Sequence, residues 1–371
     1  MTTPHIILAA GGTGGHVFPA EALASALLDR GFRLGLVTDK RGKAYGGTLG
    51  DLETHRIQAG GIAGKNIPAR IKSVLALGIG TWQAWRLLKK LKPDVVVGFG
   101  GYASVPTMIA ATFASIPTII HEQNALLGRA NRLLAGRVNA IATSFADTHG
   151  MGDENQDKVQ MTGMPVRAPI AAQSNAPYPN AEGEAPLGIL VLGGSQGATV
   201  LSEVIPAALS KLPDTIKSRL DVTQQCREED IDQVKAVYQK SGIRAHLDTF
   251  IDDVPERMMN AHLMISRAGA SSVSEALTVG RPSILVPYPF AADDHQTYNA
   301  RAVDAAGAGW IMPQDTFNAD ALAARLDSLL GLPAVLEKSA RCAAGLGSAD
   351  AATKLADMVA KLTPHEEGAG Q

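Results

Sequence analysis

Residues 266–299 read SRAGASSVSEALTVGRPSILVPYPFAADDHQTYN. Just before them, Leu263-Met264-Ile265 form a short apolar run that predicts a buried strand. The turn Arg267-Ala268-Gly269-Ala270 follows, and Ser271-Ser272 open a helical pattern that carries Val273, Ser274 and Glu275. Serines at a helix start cap free backbone N–H groups, and those groups with the helix dipole attract phosphate. Glu275 stands a turn further in, placed to accept the hydroxyls of a ribose beside that phosphate. After a second strand at 283–286, the segment PYPFAADDHQTYN brings polar groups back to the same sheet edge, with Gln296 and Asn299 on one helical face. Taken singly, Ser271 reads as a cap and Glu275 as a dipole partner. Together they predict a nucleoside-diphosphate site.

The rest of the chain is in keeping with that site. At 371 residues it is long enough for two domains, and 46% hydrophobic with 19% charged residues is the balance of an ordinary soluble chain. A net charge of −2 gives no basic footprint for nucleic acid, so none is expected as a partner. Cys226 and Cys342 stand far apart with no CxxC, which argues against a disulfide or zinc and fits a reducing compartment. MTTPHIILAAGG lacks a basic n-region, and its apolar run is too short for a signal peptide. The longest weakly polar run, 103–120, contains Pro106 and Pro117 and reads as a buried helix followed by a strand, not a membrane span. A cytoplasmic protein is expected.

Upstream, residues 5–10 are continuously apolar, as in a strand covered on both faces. They run into Gly11-Gly12-Thr13-Gly14-Gly15-His16, then a helix from about 18 to 30 and a strand at 33–38. This is a βαβ opening with a glycine-rich turn that lets a ligand approach the backbone. The turn is not a P-loop, and Val17 stands where a dinucleotide fingerprint needs its third glycine. Residues 40–64 lose the pattern, reading as a loop and then a short strand and turn within 56–66. Residues 67–92 set Trp82 and Trp85 among Arg70, Lys72, Arg86, Lys89, Lys90 and Lys92 without an acid. That reads either as a core helix with a basic end or as a peripheral contact with an anionic membrane surface. A strand at 94–99 ends in Gly100-Gly101-Tyr102-Ala103-Ser104, and one at 117–121 ends in His121-Glu122-Gln123-Asn124. Both endings fall where open α/β sheets bind ligands.

TGMPVR at 162–167 precedes a Pro/Ala/Asn-rich linker at 171–186. A second α/β half starts with the apolar run 187–192 and turns through Gly193-Gly194-Ser195-Gln196-Gly197-Ala198. Strand, Gly-Gly turn and helix therefore open both halves, predicting an α/β architecture of two Rossmann-like domains facing a cleft. Asp230-Ile231-Asp232 lies in an amphipathic helix and reads as solvated surface; no His/Cys/Asp cluster has metal-ligand spacing. Ile251, in FIDD after a strand, falls beside the nucleotide site. Helices continue to about 362, followed by a disordered tail.

GGTGGHVFPA, GGYAS, HEQN, TGMPVR, GGSQGA, FIDD, SRAGASSVSE and HQTYN, in that order, resemble the MurG family. These are bacterial peptidoglycan N-acetylglucosaminyltransferases of the two-domain GT-B fold. The resemblance implies inverting transfer of N-acetylglucosamine from UDP-GlcNAc to the C4 hydroxyl of the muramoyl sugar in undecaprenyl-pyrophosphate-linked lipid I, giving lipid II. It implies an N-terminal acceptor and membrane-associated domain (1–165), a donor-binding domain (166–347) and a final helix (348–362) that packs back on the first domain. It places donor contacts on Thr13, Gly14, Gly15, Asn124, Arg167, Ser195, Ile251, Ala270, Ser271, Ser272, Val273, Ser274, Glu275 and Gln296, with Tyr102, Gln196 and Arg267 in the same turns. It also implies a peripheral enzyme on the cytoplasmic face of the inner membrane, docked through 67–92, with cell-wall synthesis and division proteins as partners. Met164 and Gln224-Gln225-Cys226 depart from the family's pattern near the donor half.

An inverting transfer needs a base for the incoming hydroxyl and stabilisation of the departing UDP. His16 is the first choice of base, with His121 and Glu122 as rivals or as a pair orienting the acceptor. A helix N-terminus, Ser271, Ser272 and Arg167 would neutralise the diphosphate, so neither metal nor cofactor is expected. A dehydrogenase using Asp39 on a ribose, a UDP-GlcNAc 2-epimerase and a non-catalytic sugar-nucleotide sensor are the alternatives.

Overall fold

The computed structural model describes residues 3–12, 14–39, 46–60, 67–174, 176–181, 183–194 and 197–364, with only the backbone of 67–71. The chain divides into two compact units, 1–167 with 350–371, and 168–349.

In the first unit the strands are β1 (His5–Ala9), β2 (Arg33–Asp39), β3 (Glu53–Ile57), β4 (Val95–Gly98), β5 (Thr118–Glu122), β6 (Ala140–Thr143) and β7 (Val159–Met161). They form a parallel sheet in the order β3-β2-β1-β4-β5-β6-β7. Leu8 pairs with Leu36 on one side and Val97 on the other, so the strand order reverses at β1. Such a switch point opens a crevice at the carboxyl ends of the strands.

Why β1 is apolar from Ile6 to Ala9 follows from its two faces. Ile6 and Leu8 pack with Leu23 and Leu27 of helix Gly14–Asp29 and with Leu355 and Val359 of the final helix Ala351–Leu362. Ile7 and Ala9 pack on the other face with Ala84 and Leu88 of helix Ile67–Leu91 and Met108 of helix Gly101–Phe113. The final helix thus lies in the first unit, and Arg30 pairs with its Asp357 at 2.8 Å. Thr363 still bonds Ala360 O, so the ordered chain runs one step past the expected helix end, and 365–371 lie outside the described residues.

The second unit repeats the plan with β8 (Leu187–Leu192), β9 (Leu220–Gln225), β10 (Arg244–Asp248), β11 (Leu263–Ser266), β12 (Ser283–Leu285) and β13 (Gly309–Ile311), in the parallel order β10-β9-β8-β11-β12-β13. Val191 pairs with Gln224 and with Ile265, so this sheet reverses at β8.

Three local expectations need correction. Helix Gly14–Asp29 starts about four residues before the expected point, because the turn's glycines are themselves helical. β3 lies earlier than the strand expected within 56–66; it is an edge strand of mostly exposed polar residues with no apolar run to mark it. Asp230 is not simply solvated, since its Oδ2 is buried without a hydrogen-bond partner.

Candidate active site

At the crevice of the first unit, His16 occupies the first turn of helix Gly14–Asp29, and its Nδ1 lies 3.2 Å from Gln123 Oε1. The ring rests on the turn after β4. Gly100 and Gly101 have φ of +78° and +68°, and a Cβ on Gly101 would stand 3.4 Å from His16 Nε2. Glycine there both permits the left-handed turn and makes room for that edge of the ring. Tyr102 follows in the first turn of helix Gly101–Phe113, whose Ser104 Oγ donates to Gly100 O at 2.9 Å.

His121 and Glu122 have a different character. His121 is fully buried, with Nε2 3.2 Å from Gly163 O. Burial lowers its pKa to about 4, partly offset by the Gly163 bond, with the His16 ring lowering it further. Glu122 is 1% exposed and accepts four bonds: Asn124 N (3.0 Å) and Nδ2 (3.1 Å) on Oε1, Gly128 N (2.9 Å) and Asn131 Nδ2 (2.8 Å) on Oε2. A carboxylate with its lone pairs so occupied clasps the loop 123–131 and has no remaining geometry for a substrate proton. Both rivals are thus buried and held by the protein's own groups, and Asn124 is drawn into the same clasp. Asp39, at the end of β2, is buried as well.

Gly14 and Gly15 are the first helical residues, and a Cβ on Gly14 would meet the Phe18 ring at 2.9 Å. Arg167 lies 5.2 Å over that same ring. Thr13, Ser195 and Gln196 lie outside the described residues.

In the second unit, β11 runs through the turn 267–269 into helix Ala270–Thr278. The cap is Gly269 and makes no side-chain bond, so the expected serine cap is corrected: Ser271 and Ser272 sit inside the first turn. Val273 N bonds Gly269 O at 3.0 Å, the first intrahelical bond, which leaves the preceding N–H groups pointing out of the helix end. Ser271 Oγ is buried without a hydrogen-bond partner, an orphan of the kind a ligand oxygen completes. Glu275 is buried one turn on, and Ser274 is half-buried. Val273 is core, so its side chain serves packing, and Ala270 and Ile251 are buried too.

Arg267 does not project toward the helix end. Its Nη1 donates to Val286 O (3.2 Å) and Pro287 O (3.3 Å), and its Nη2 donates to Gln314 Oε1 (2.7 Å). The guanidinium stacks 5.4 Å over Tyr288. Gln296 Oε1 accepts from Tyr288 N at 2.9 Å, so Arg267 and Gln296 both hold the loop after β12. That loop contains Asp293 and Asp294 at φ +54° and +57°, a left-handed pair that side chains adopt only under constraint.

Of the residues that depart from the family pattern, Met164, Gln224 and Cys226 are buried, while Gln225 is half-buried and donates from Nε2 to Thr249 O at 3.1 Å. Tyr238 OH donates to Gln224 Oε1 at 2.6 Å, and burial pushes the Cys226 thiol up to about 11.

Helix Ile67–Leu91 resolves into two stripes. Ala84 and Leu88 are core, while Val74, Leu75, Ile79 and Trp82 are exposed, Trp82 by 56%. Arg86 stacks 5.0 Å over Trp82, and Lys89 lies 3.9 Å over Trp85. Phe113, 75% exposed, lines a cavity of about 560 Å³ with Trp85, Leu88, Lys89, Lys92 and Ile116. Among the described residues no helix is long and apolar enough to cross a membrane, and no group of three His, Cys, Asp or Glu could hold a metal.

Sequence reasoning gave no individual role to Gln123, and passed over Asn131, Phe113 and the left-handed Asp293-Asp294 pair. Gln123 alone had a usable signal, lying in HEQN at the end of a strand.

Comparison with known proteins agrees with this construction. Residues 6–143 match the glycosyltransferase family 28 N-terminal domain and 188–355 its C-terminal domain. Two Rossmann-like units with these matches define a glycosyltransferase of the GT-B fold. Across 99% of both chains, the sequence is 60% identical to the UDP-N-acetylglucosamine–N-acetylmuramyl-(pentapeptide) pyrophosphoryl-undecaprenol N-acetylglucosamine transferase of Paramagnetospirillum magneticum. The crystal structure of Acinetobacter baumannii MurG superposes with a TM-score of 0.79 at 30% identity, covering 96% of this chain and 99% of that one. The chain belongs to this MurG family of N-acetylglucosamine transferases. A UDP-GlcNAc 2-epimerase from Neisseria meningitidis shares the fold alone, with a TM-score of 0.65 at 14% identity over 96% of this chain and all of that one.

Proposed function

We propose that this enzyme transfers N-acetylglucosamine from UDP-GlcNAc to the C4 hydroxyl of the muramoyl sugar on undecaprenyl-pyrophosphate-linked lipid I, with His16 as the general base. The observation that carries the assignment of the base is the contrast among the three candidates. His121 and Glu122 are buried, whereas His16 is only half-buried, in the first turn of helix Gly14–Asp29 with a glycine under its Nε2 edge. In the reaction His16 takes the hydroxyl proton, the oxygen attacks the anomeric carbon from the face opposite the leaving group, and the bond to UDP breaks with inversion. The diphosphate is received by the outward N–H groups of helix Ala270–Thr278 and by Ser271 Oγ, while Glu275 reads the ribose. Arg267 and Gln296 act at one remove, by shaping the loop that borders this helix end.

The enzyme works as a peripheral protein on the cytoplasmic face of the membrane. The exposed Trp82, Ile79 and Phe113, edged by Arg86 and Lys89, suit an anionic bilayer surface, with apolar groups in the acyl boundary and cations at the headgroups.

The direct test is UDP release by the purified protein given UDP-GlcNAc, with and without a short-chain lipid I analogue. Acceptor-dependent release with a disaccharide product is expected. Release without acceptor, together with free N-acetylmannosamine, would replace this reading with an epimerase, and binding without turnover would replace it with a sensor.

A further inference from the structure

We infer that Gln123 is a positioning residue that fixes the tautomer of His16, holding the proton on Nδ1 so that Nε2 carries the lone pair. The inference rests on the assignment of His16 as base and adds how the ring is prepared for that task.

The Gln123 side chain is buried immediately after β5. Its Nε2 lies 2.9 Å from Phe99 O, 3.1 Å from His121 O and 3.2 Å from His121 Nδ1. Two of these three neighbours are backbone carbonyls, which only accept. Flipping the amide would press Oε1 against both carbonyl oxygens, so the NH2 group is fixed on that side. The orientation follows from the surroundings and not from the amide alone.

With the amide so fixed, Oε1 faces His16 Nδ1 at 3.2 Å and accepts only. His16 must therefore donate from Nδ1. A neutral imidazole with hydrogen on Nδ1 has its lone pair on Nε2, the edge that faces Gly101. The same reasoning fixes His121 in the other sense. Gln123 Nε2 donates to its Nδ1, so its hydrogen is on Nε2 and is donated to Gly163 O at 3.2 Å. Because burial keeps His121 neutral over the working pH range, it stays an acceptor for Gln123. The HEQN segment thus supplies a relay whose fixed end is two backbone carbonyls and whose working end is the base. The buried histidine, which lacks access to substrate, serves the chemistry by orienting the amide.

The test is 15N NMR of the full-length protein labelled at histidine, with His16→Ala used to assign the signal. The expected wild-type spectrum has His16 protonated on Nδ1, with Nε2 showing the shift of an unprotonated ring nitrogen. In Gln123→Met, which keeps the side-chain length and removes both amide functions, that preference should disappear. Turnover should then fall roughly 10- to 100-fold, part of what a general base supplies, with the Kd for UDP-GlcNAc unchanged. A wild-type ring protonated on Nε2 would overturn the inference even if Gln123→Met did not fold. So would an Nδ1 proton that persists in Gln123→Met. If the tautomer behaves as expected but His16→Ala retains full turnover, the base assignment has failed and Gln123 has no part in catalysis.

Discussion

Asn299 Nδ2 donates to Ala268 O at 3.0 Å, joining two residues 31 positions apart in sequence. Asn299 is fully buried, and its amide fastens the turn that presents the N-terminus of helix Ala270–Thr278. Replacing Asn299 with Leu leaves the Ala268 carbonyl without that donor. We expect a loss of about 1–3 kcal/mol of stability and weaker UDP binding, read by denaturant unfolding and titration calorimetry. Unchanged UDP affinity would show that the turn holds its shape without the bond.

For the base, His16→Ala should lower turnover by roughly 10²- to 10⁴-fold. Steady-state kinetics and equilibrium binding on the same preparation decide the matter, because UDP-GlcNAc affinity should stay near wild type. Collapse of donor binding together with turnover would remove the general-base assignment.

Glu122→Gln should fail differently. The amide keeps one acceptor oxygen and turns an NH2 toward backbone N–H groups that need an acceptor, so the clasp over 123–131 loses at least one bond to a charge. The expected loss is about 2–3 kcal/mol, seen as a lower Tm, with activity falling in step with the folded fraction. Full stability with no activity would return Glu122 to the catalytic candidates.

The buried histidines set a pH dependence. His121 has a folded pKa of about 4 against 6.5 unfolded, and burial also lowers His262 and His5. Between those values the unfolded chain binds more protons, so the contribution to stability is complete above 6.5 and is lost as pH falls toward 4. His121 alone should account for roughly 2 kcal/mol between pH 6.5 and 5. Urea unfolding at the two pH values measures it, and His121→Asn should flatten the slope. An equal slope in that variant would count against the assignment.

Membrane docking is tested by Trp82→Glu combined with Phe113→Glu, which puts carboxylates on both exposed aromatic positions. Binding to vesicles containing anionic lipid should fall at least tenfold, about 1.4 kcal/mol, while turnover of a water-soluble short-chain acceptor is retained. Equal vesicle binding by wild type and variant would place the membrane contact elsewhere.

Much of the fold was legible because strands covered on both faces must be apolar along their covered length, as β8 is throughout and β1 is from Ile6 to Ala9. β3 escaped because an edge strand carries no such mark. Gly14 and Gly15 looked like turn because glycine's preference is weak evidence against a helix that tertiary packing supports. The site was legible as residue types at strand ends but not as roles. HEQN offers four polar side chains, and only their partners reveal that Glu122 clasps a loop, His121 is locked to Gly163, and Gln123 faces His16. Arg281 is the extreme case. It is 1% exposed, and its guanidinium donates to the carbonyls of Met258, Met259, Val279, Gly280 and Pro177, with no ion pair to a carboxylate among the described residues.

The final helix has a consequence for how the molecule is made. Leu355 and Val359 cover the face of β1 and of helix Gly14–Asp29, yet the whole second unit lies between them in the chain. During translation at about 5–20 residues per second, that apolar face stays uncovered for roughly 10–40 s after the strands beneath it have emerged. The nascent first unit therefore carries that face bare until the last helix arrives, and its completion waits on the synthesis of its neighbour.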